Sequence, residues 1–386
     1  MDGPSSGGQP SAHPDRSIEG RAPPSPPRIA SQVTVDPISD PKPPVEGLDA
    51  LSVVIPVFNG ETWVPSAVDA LLAAADSAGR TLDVVVVDDG STDSTLAVLE
   101  DLAERTGIRV LGQANAGRLA ARSAELALAR QSWVLLLDSR VIMEPDSLSW
   151  LRQQISEHPE RRVWCGHVDV ETQGNSFAAF WSGLVKIGWR RYTANPRLVS
   201  FGAEEFNYFP EGTGCLLMPR DLLLDAVHGF ELLYDAAHLA SDDTRLLRQV
   251  ASQQRIWLSP EFHFRYHGKT GARGFARQSY FRGTTFVDGY LGQPGVARRA
   301  LIGAFAAALV LGAVAIRRPV VGAAGLAAAC VAVPSAVHLS GGSRDEVRAA
   351  TTLAPIFIQI FGAGVLRGLT LAAADLLRPS RSAPTE

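Results

Sequence analysis

The sequence predicts an α/β fold, a mostly parallel sheet flanked by helices, followed by an α-helical membrane segment. Three observations carry this. Short apolar runs such as "LSVVI", "VVVV" and "WVLLL" alternate with stretches of helical spacing. Unbroken runs of this kind suit strands covered on both faces, as in a parallel sheet between helix layers. After residue 299 the chain turns into long, nearly charge-free stretches dense in Ala, Gly and Val.

The elements follow in order. Residues 1–48 are rich in Pro, Ser and Gly and nearly free of aromatics. Such a segment buries too little apolar surface to offset its ordering entropy, so a disordered tail is expected. A domain over 49–296 then opens with "LSVVIPVFNG", a buried strand. "ETWVPSAVDALLAAADSAG" has helical spacing and stops at Gly79. "LDVVVVDDGSTDSTLAVLEDLAER" reads as strand, turn and helix, with Ser91, Thr92 and Asp93 suited to a cap. "IRVLGQ" is a third strand, "NAGRLAARSAELALARQ" a loop and helix, and "SWVLLLD" a fourth strand. From about residue 161 the pattern changes to strands and loops, until a helix starts at "SDDTRLLRQVASQ". "EFHFRYHG" alternates: Phe262, Phe264 and Tyr266 fall on one face, His263, Arg265 and His267 on the other.

Two to three membrane-associated helices are expected over 297–378, with a short tail over 379–386. The candidates are 300–316, 319–339 and 352–366, each short or borderline against the roughly 20 residues that cross hydrocarbon. "RGLTLAAADLLRP" is amphipathic and suits an interfacial helix. A soluble Ala-rich helical domain is disfavoured, because residues 300–340 carry only Arg317 and Arg318 as charges. The flanking arginines are too even to fix topology.

Bulk properties exclude several classes. A net charge of -4 gives no basic field for nucleic acid. Cys165, Cys215 and Cys330 lie far apart without a CxxC, which argues against a disulfide framework or zinc ribbon and fits a reducing compartment. No apolar run opens the chain, so no ordinary secretory signal is expected. No Walker loop or strand-bound GxGxxG is present, which disfavours a P-loop NTPase and a dinucleotide dehydrogenase. What remains at the carboxyl ends of the strands, where such sheets bind ligands, is Pro56–Asn59, Asp88 and Asp89, and Asp138–Arg140.

Four stretches, "VVIPVFNG", "VVVVDDGSTDST", "NAGRLAARSAEL" and "WVLLLDSRVIMEPDSL", occur in an order that resembles the family 2 inverting glycosyltransferases of GT-A fold. A fifth, "SDDTRLLRQVASQQRIWLSPEFHFRYHG", is similar to the family's acceptor-side motif. The resemblance covers roughly residues 50–290. It implies that Pro56, Phe58, Asn59 and Glu61 line a nucleotide pocket and that Asp89 accepts from the base. It further implies that Gly117 and Arg122 are the family's nucleotide-sugar-binding Gly and Arg ahead of the fourth strand, with Arg122 able to neutralise the diphosphate, and that Asp243 is the general base. Each has a plain alternative: strand-end packing for Pro56 and Phe58, turn and cap roles for Asp88, Asp89 and Asp93, an N-cap and helix-dipole role for Asp242 and Asp243, and solvated strand positions for His263 and His267. Order and spacing favour the functional reading.

One position departs from the family. Its usual Asp-x-Asp at the fourth strand is Asp138-Ser139-Arg140 here. Three readings stay open. Arg140 replaces the electrostatic role of a metal; or Mg2+ or Mn2+ persists on Asp138 and His267; or the chain binds donor without turnover. The metal-independent reading is slightly favoured. The resemblance implies inverting transfer of a sugar from a nucleotide-diphosphate donor to a hydroxyl of a membrane-associated acceptor, lipid-linked or an envelope glycan. The alternative is an inactive sugar-nucleotide-binding membrane scaffold. Processive synthases carry QxxRW; here Gln278 and Arg282 are one position too far apart and Trp is missing, which favours single addition. The expected location is the cell membrane, with the catalytic domain facing the cytoplasm.

Overall fold

The computed structural model describes residues 50–115, 126–228, 242–291 and 318–376, with Leu48 and scattered positions of 298–317. Both expected tails and most of the apolar stretch 300–316 lie outside the described residues.

Four strands make the parallel half of the sheet: β1 (Leu51–Val57), β2 (Asp83–Asp88), β3 (Arg109–Gly112) and β4 (Trp133–Leu137). They stand in the order β3-β2-β1-β4, with α1 (Val64–Ser77) and α2 (Thr95–Thr106) as crossovers. Their apolar runs are buried because both faces are covered. Val53, Ile55, Val84, Val86 and Leu135 pack with α1, α2 and α3 (Ser147–Glu157) on one side. Val54, Val134 and Leu136 pack on the other side against α6 (Arg220–His228) and α7 (Asp242–Gln253).

The sheet then changes direction. β8 (Cys215–Pro219) pairs antiparallel with β4, register Leu137↔Cys215. Beyond it lie β6 (Val163–Glu171) and the long β9 (Ile256–His267), which is flanked by β5 (Val141–Met143) and β7 (Val199–Phe201). β9 holds the expected alternation: Phe262 and Phe264 are buried while Arg265 is exposed.

Helices depart from the sequence reading of strands and loops after residue 161 at α4 (Ser176–Gly188), at the single turn α5 (Arg190–Thr193) and at α6, and α8 (Ala272–Leu291) follows β9 where the sequence reading assigns no element. Asn175 caps α4, its side chain accepting from the Phe177 and Ala178 amides. Neither α4 nor α8 shows a simple apolar stripe, because each is covered from more than one direction. α4 and α8 pack against the final helix, α10 (Arg344–Leu376), which with α9 (Pro319–Leu339) forms the C-terminal apolar pair. Both α9 and α10 are long and apolar enough to cross a membrane.

A buried carboxylate ties α10 to the domain. Glu346 is 3% exposed. Its Oε1 accepts from Ser182 Oγ at 2.6 Å, and its Oε2 from Lys186 Nζ at 2.7 Å and the Ser343 amide at 2.6 Å. The Glu346 amide in turn donates to Ser343 Oγ at 3.3 Å, a reciprocal cap on the first turn of α10. Removing the carboxylate strands an ammonium and a hydroxyl in a largely buried corner. Because Lys186 keeps some solvent contact, the loss should fall below that of a fully buried pair. Glu346→Ala is expected to destabilise the protein by about 2 kcal/mol, read as a lower Tm in detergent, with Glu346→Gln recovering part of it.

Candidate active site

The site is assembled at the carboxyl ends of β1, β2 and β4. On the β1 side, Asn59 follows the strand with φ 51°, a left-handed conformation that Asn tolerates. Its amide donates to Ser91 Oγ and its Oδ1 accepts from the Thr92 amide, both at 2.8 Å. Glu61 accepts from the Ser94 amide at 2.8 Å. These two side chains therefore tie the β1–α1 turn to the β2–α2 turn. Pro56 is partly buried at the end of β1, and Phe58 is 50% exposed, leaving an aromatic face open beside the turn.

The β2 carboxylates divide their work. Asp88 accepts from the Ser91 amide and hydroxyl, and Asp93 from the amide and hydroxyl of Thr95, so both shape the turn. Asp89 is 6% exposed and accepts from Gln113 Nε2 at 2.7 Å. Gly117 and Arg122 lie outside the described residues, as does the side chain of Asp242.

At the end of β4 the Asp138 carboxylate closes a tight turn. Its Oδ1 accepts from the Arg140 amide at 2.9 Å, and its carbonyl from the Val141 amide at 3.0 Å. Val141, next to Arg140, pairs with Tyr266 across β5 and β9. Burial, with the Asp138 charge adding to it, pushes that phenol up to about 12, so it stays protonated. Beside it the His267 amide donates to the Arg140 carbonyl at 3.2 Å, while the His267 ring stacks on Trp63 at 4.0 Å. Burial lowers the His267 pKa, against an opposing pull from Glu171. A cavity of about 420 Å³ opens here, lined among others by Trp63, Glu171, Asn175 and His267. His263 lies on the same face of β9 but is held elsewhere, its amide and carbonyl bonded to Ser147 Oγ.

A two-residue link joins this corner to the expected base. The Gly214 carbonyl accepts from the Asp138 amide at 2.8 Å, and the Thr213 hydroxyl donates to Asp243 Oδ1. Residues 138 and 243, more than a hundred positions apart, are thus drawn to one dipeptide. The turn of α7 that carries Asp243 is further pinned by Arg245, which donates to the carboxylate of the buried Asp288 of α8 at 2.8 and 3.0 Å and to its carbonyl at 3.2 Å.

Sequence reasoning missed Thr213, Gly214, Glu211 and Tyr290. The Gly-flanked Thr before a buried run in "EGTGCLLM" was the available signal. Glu211 accepts from the Tyr290 hydroxyl, and its other oxygen is sealed from solvent without a partner. Burial pushes the carboxyl up to about 7, with the Asp243 charge contributing. Arg248 faces it from α7 but is spread over the Phe206 and Tyr290 rings.

The donor set for a divalent metal is poor. Among the described residues no group of three or more His, Cys, Asp or Glu side chains converges. At the strand end the single carboxylate of Asp138 already accepts from a backbone amide and has a guanidinium two residues on.

Residues 52–206 match the family model for glycosyl transferase family 2. That stretch is similar to glycosyl transferase family 2, and the rest of the chain lies outside the match. The match takes in the strand ends from Pro56 to Arg140 and stops before Thr213 and Asp243. An undecaprenyl-phosphate 4-deoxy-4-formamido-L-arabinose transferase of Pseudomonas aeruginosa is 31% identical over 149 residues, 38% of this chain and 43% of that one. A dodecaprenyl-phosphate galacturonate synthase of Rhizobium johnstonii is 35% identical over 120 residues, 30% of this chain and 35% of that one. The chain therefore aligns with less than half the length of these curated relatives. A mannosyltransferase from Pyrobaculum calidifontis, solved with GDP-Man and Mn2+, superposes with a TM-score of 0.51 at 19% identity, covering 83% of this chain and 87% of that one. This likeness concerns the fold, the GT-A arrangement around the matched stretch.

Glu211 gives a pH signature. Its folded pKa of about 7 lies above the roughly 4.3 of an exposed Glu. The stabilising contribution of its protonated form is complete below about pH 4 and is lost as pH rises through about 7. Over that window Glu211→Gln is expected to flatten the fall in Tm, by up to roughly 3 kcal/mol in stability. An unchanged pH profile would contradict the buried-acid assignment.

Proposed function

We propose that this chain is an inverting glycosyltransferase. It moves a sugar from a nucleotide-diphosphate donor to a hydroxyl of a lipid-linked or envelope acceptor, one sugar at a time, at the cytoplasmic face of the cell membrane. The observation that carries the reading is the Thr213–Gly214 link, which sets the candidate base Asp243 beside the strand end of Asp138 and Arg140. The family match, the named relatives and the two C-terminal apolar helices support it.

The chemistry follows from the charges. Asp89 supplies an acceptor for an N–H of the base, with uracil weakly preferred over guanine. Asp243, oriented by Thr213, takes the acceptor proton as the oxygen attacks the anomeric carbon from the face opposite the diphosphate. The bond from that carbon to the phosphate oxygen breaks, and the electron pair leaves with the nucleoside diphosphate. A cation aimed at this group stabilises its departure. Arg140, held in the Asp138 turn by its amide, has the charge and the strand-end position for that role. No metal enters this scheme. Arg122, outside the described residues, is a second candidate for the diphosphate.

The relatives' names favour a polyprenyl phosphate as acceptor. The acceptor corner favours a neutral hydroxyl instead. Glu211 and Asp243 are both acidic, while Arg245 and Arg248 are engaged with Asp288 and with aromatic rings. Offering a lipid phosphate and a lipid-linked glycan to the same preparation separates the two.

Asp243→Asn is expected to lower kcat by about 10²–10⁴-fold with donor binding retained. Donor binding without any release of nucleoside diphosphate in the wild type would instead support the inactive scaffold. Arg140→Ala should cost about 10²–10³-fold in kcat, the scale of a lost charge-stabilising donor, and EDTA should leave the wild type active. Activity abolished by EDTA and restored by manganese or magnesium would return the metal to this site.

A further inference from the structure

The two C-terminal helices differ in what covers them. α9 has no acidic or basic side chain other than His338 between Arg318 and Arg344, and its Val320, Val331 and Leu339 are 80%, 65% and 69% exposed. Its 21 residues span about 31 Å, the thickness of a hydrocarbon core. α10 is docked along the domain instead. α8 runs beside it in the same direction, with Phe275 near Phe357, Gly283 against Gly364, Thr284 and Val287 against Gly368, and Leu291 near Ala372. The backbones touch. A Cβ on Gly283 would lie 2.3 Å from the Phe361 carbonyl oxygen, and one on Gly364 would lie 2.2 Å from that of Tyr280. Thr284 Oγ1 adds a bond to the Gly364 carbonyl at 3.2 Å.

This contact constrains the depth of α10. Along the same path α8 carries Arg277, Arg282 and Asp288, and Asp288 holds Arg245 near the candidate base. A bilayer-crossing α10 would carry these charges, and the wall of the site, into hydrocarbon, where ionised side chains are costly. The outward face of α10 is also mixed. Ile356 and Leu366 are about half exposed, interspersed with exposed Thr351, Thr352, Gln359 and Thr370. Along the seam runs a basic ridge of exposed Arg273, Arg277 and Tyr280, with the Arg367 guanidinium 5.6 Å from the centre of the Tyr280 ring.

We propose that α9 crosses the bilayer while α10 lies in its surface, docked on α8, with the ridge of Arg273, Arg277, Tyr280 and Arg367 resting on anionic phospholipid headgroups. Basic residues at an anionic surface strengthen such attachment by about fivefold each. The placement does not depend on the transfer reaction, so the two can fail separately.

The test uses the full chain with Cys330→Ser, in vesicles of phosphatidylcholine with phosphatidylglycerol; Cys165 and Cys215 are buried. A fluorophore is placed at Ile356→Cys, Leu366→Cys or Val331→Cys, and quenched by lipids carrying a nitroxide near the headgroup or deep in the acyl chain. The expected result is stronger shallow quenching at 356 and 366, and stronger deep quenching at 331. Deep quenching at 366 overturns the surface placement. Removing phosphatidylglycerol, or adding Arg273→Gln with Arg277→Gln, should weaken shallow quenching at 366 by at least about fivefold. Quenching indifferent to both changes overturns the headgroup contact.

Discussion

The antiparallel pairing of β8 with β4 is the constraint on which the site depends. Parallel strands alone bring Asn59, Asp89 and Asp138 to one edge, because each ends a strand running the same way. They cannot bring Asp243 there. β8 runs back along β4 in register Leu137↔Cys215, so the two residues before it, Thr213 and Gly214, emerge at the same edge. One offers its carbonyl to the Asp138 amide and the other its hydroxyl to Asp243. A slip of one residue would turn the Thr213 side chain to the opposite face and break the connection.

The Asp243 side of this corner rests on α8. One end of that helix supplies Asp288 to Arg245 and Tyr290 to Glu211, so it touches both the turn bearing Asp243 and the loop bearing Thr213. Its other side is pressed backbone to backbone on α10 through Gly283, Gly364 and Gly368. The wall of the site and the apolar C-terminal helix are thus two faces of one element. Glu346 repeats the arrangement through α4, where a buried carboxylate gathers Ser182, Lys186 and the start of α10.

Much of the parallel half was legible in the residues. Four apolar runs ending in polar turns leave little alternative to buried strands, and the alternation of "EFHFRYHG" marked the faces of β9 correctly. The helical position of Asp243 also followed from local pattern. α4 and α8 were not legible, since helices packed from several directions show no single apolar stripe. Nor was the Thr213–Gly214 link, which exists only through a non-local pairing. Asn59 and Glu61 gained a role that motif reading does not supply, joining two turns by side-chain contacts. The departure at Arg140 was visible at once, but its place beside Tyr266 needed β5 and β9 side by side.

In the proposed scheme one base, Asp243, faces a strand end that receives the leaving diphosphate, so a single displacement occurs and no covalent sugar–enzyme intermediate forms. The anomeric configuration of the first product, read by proton NMR before it can mutarotate or be processed, tests this most directly. The geometry predicts a product inverted relative to the donor. A product that retains the donor's configuration would contradict it.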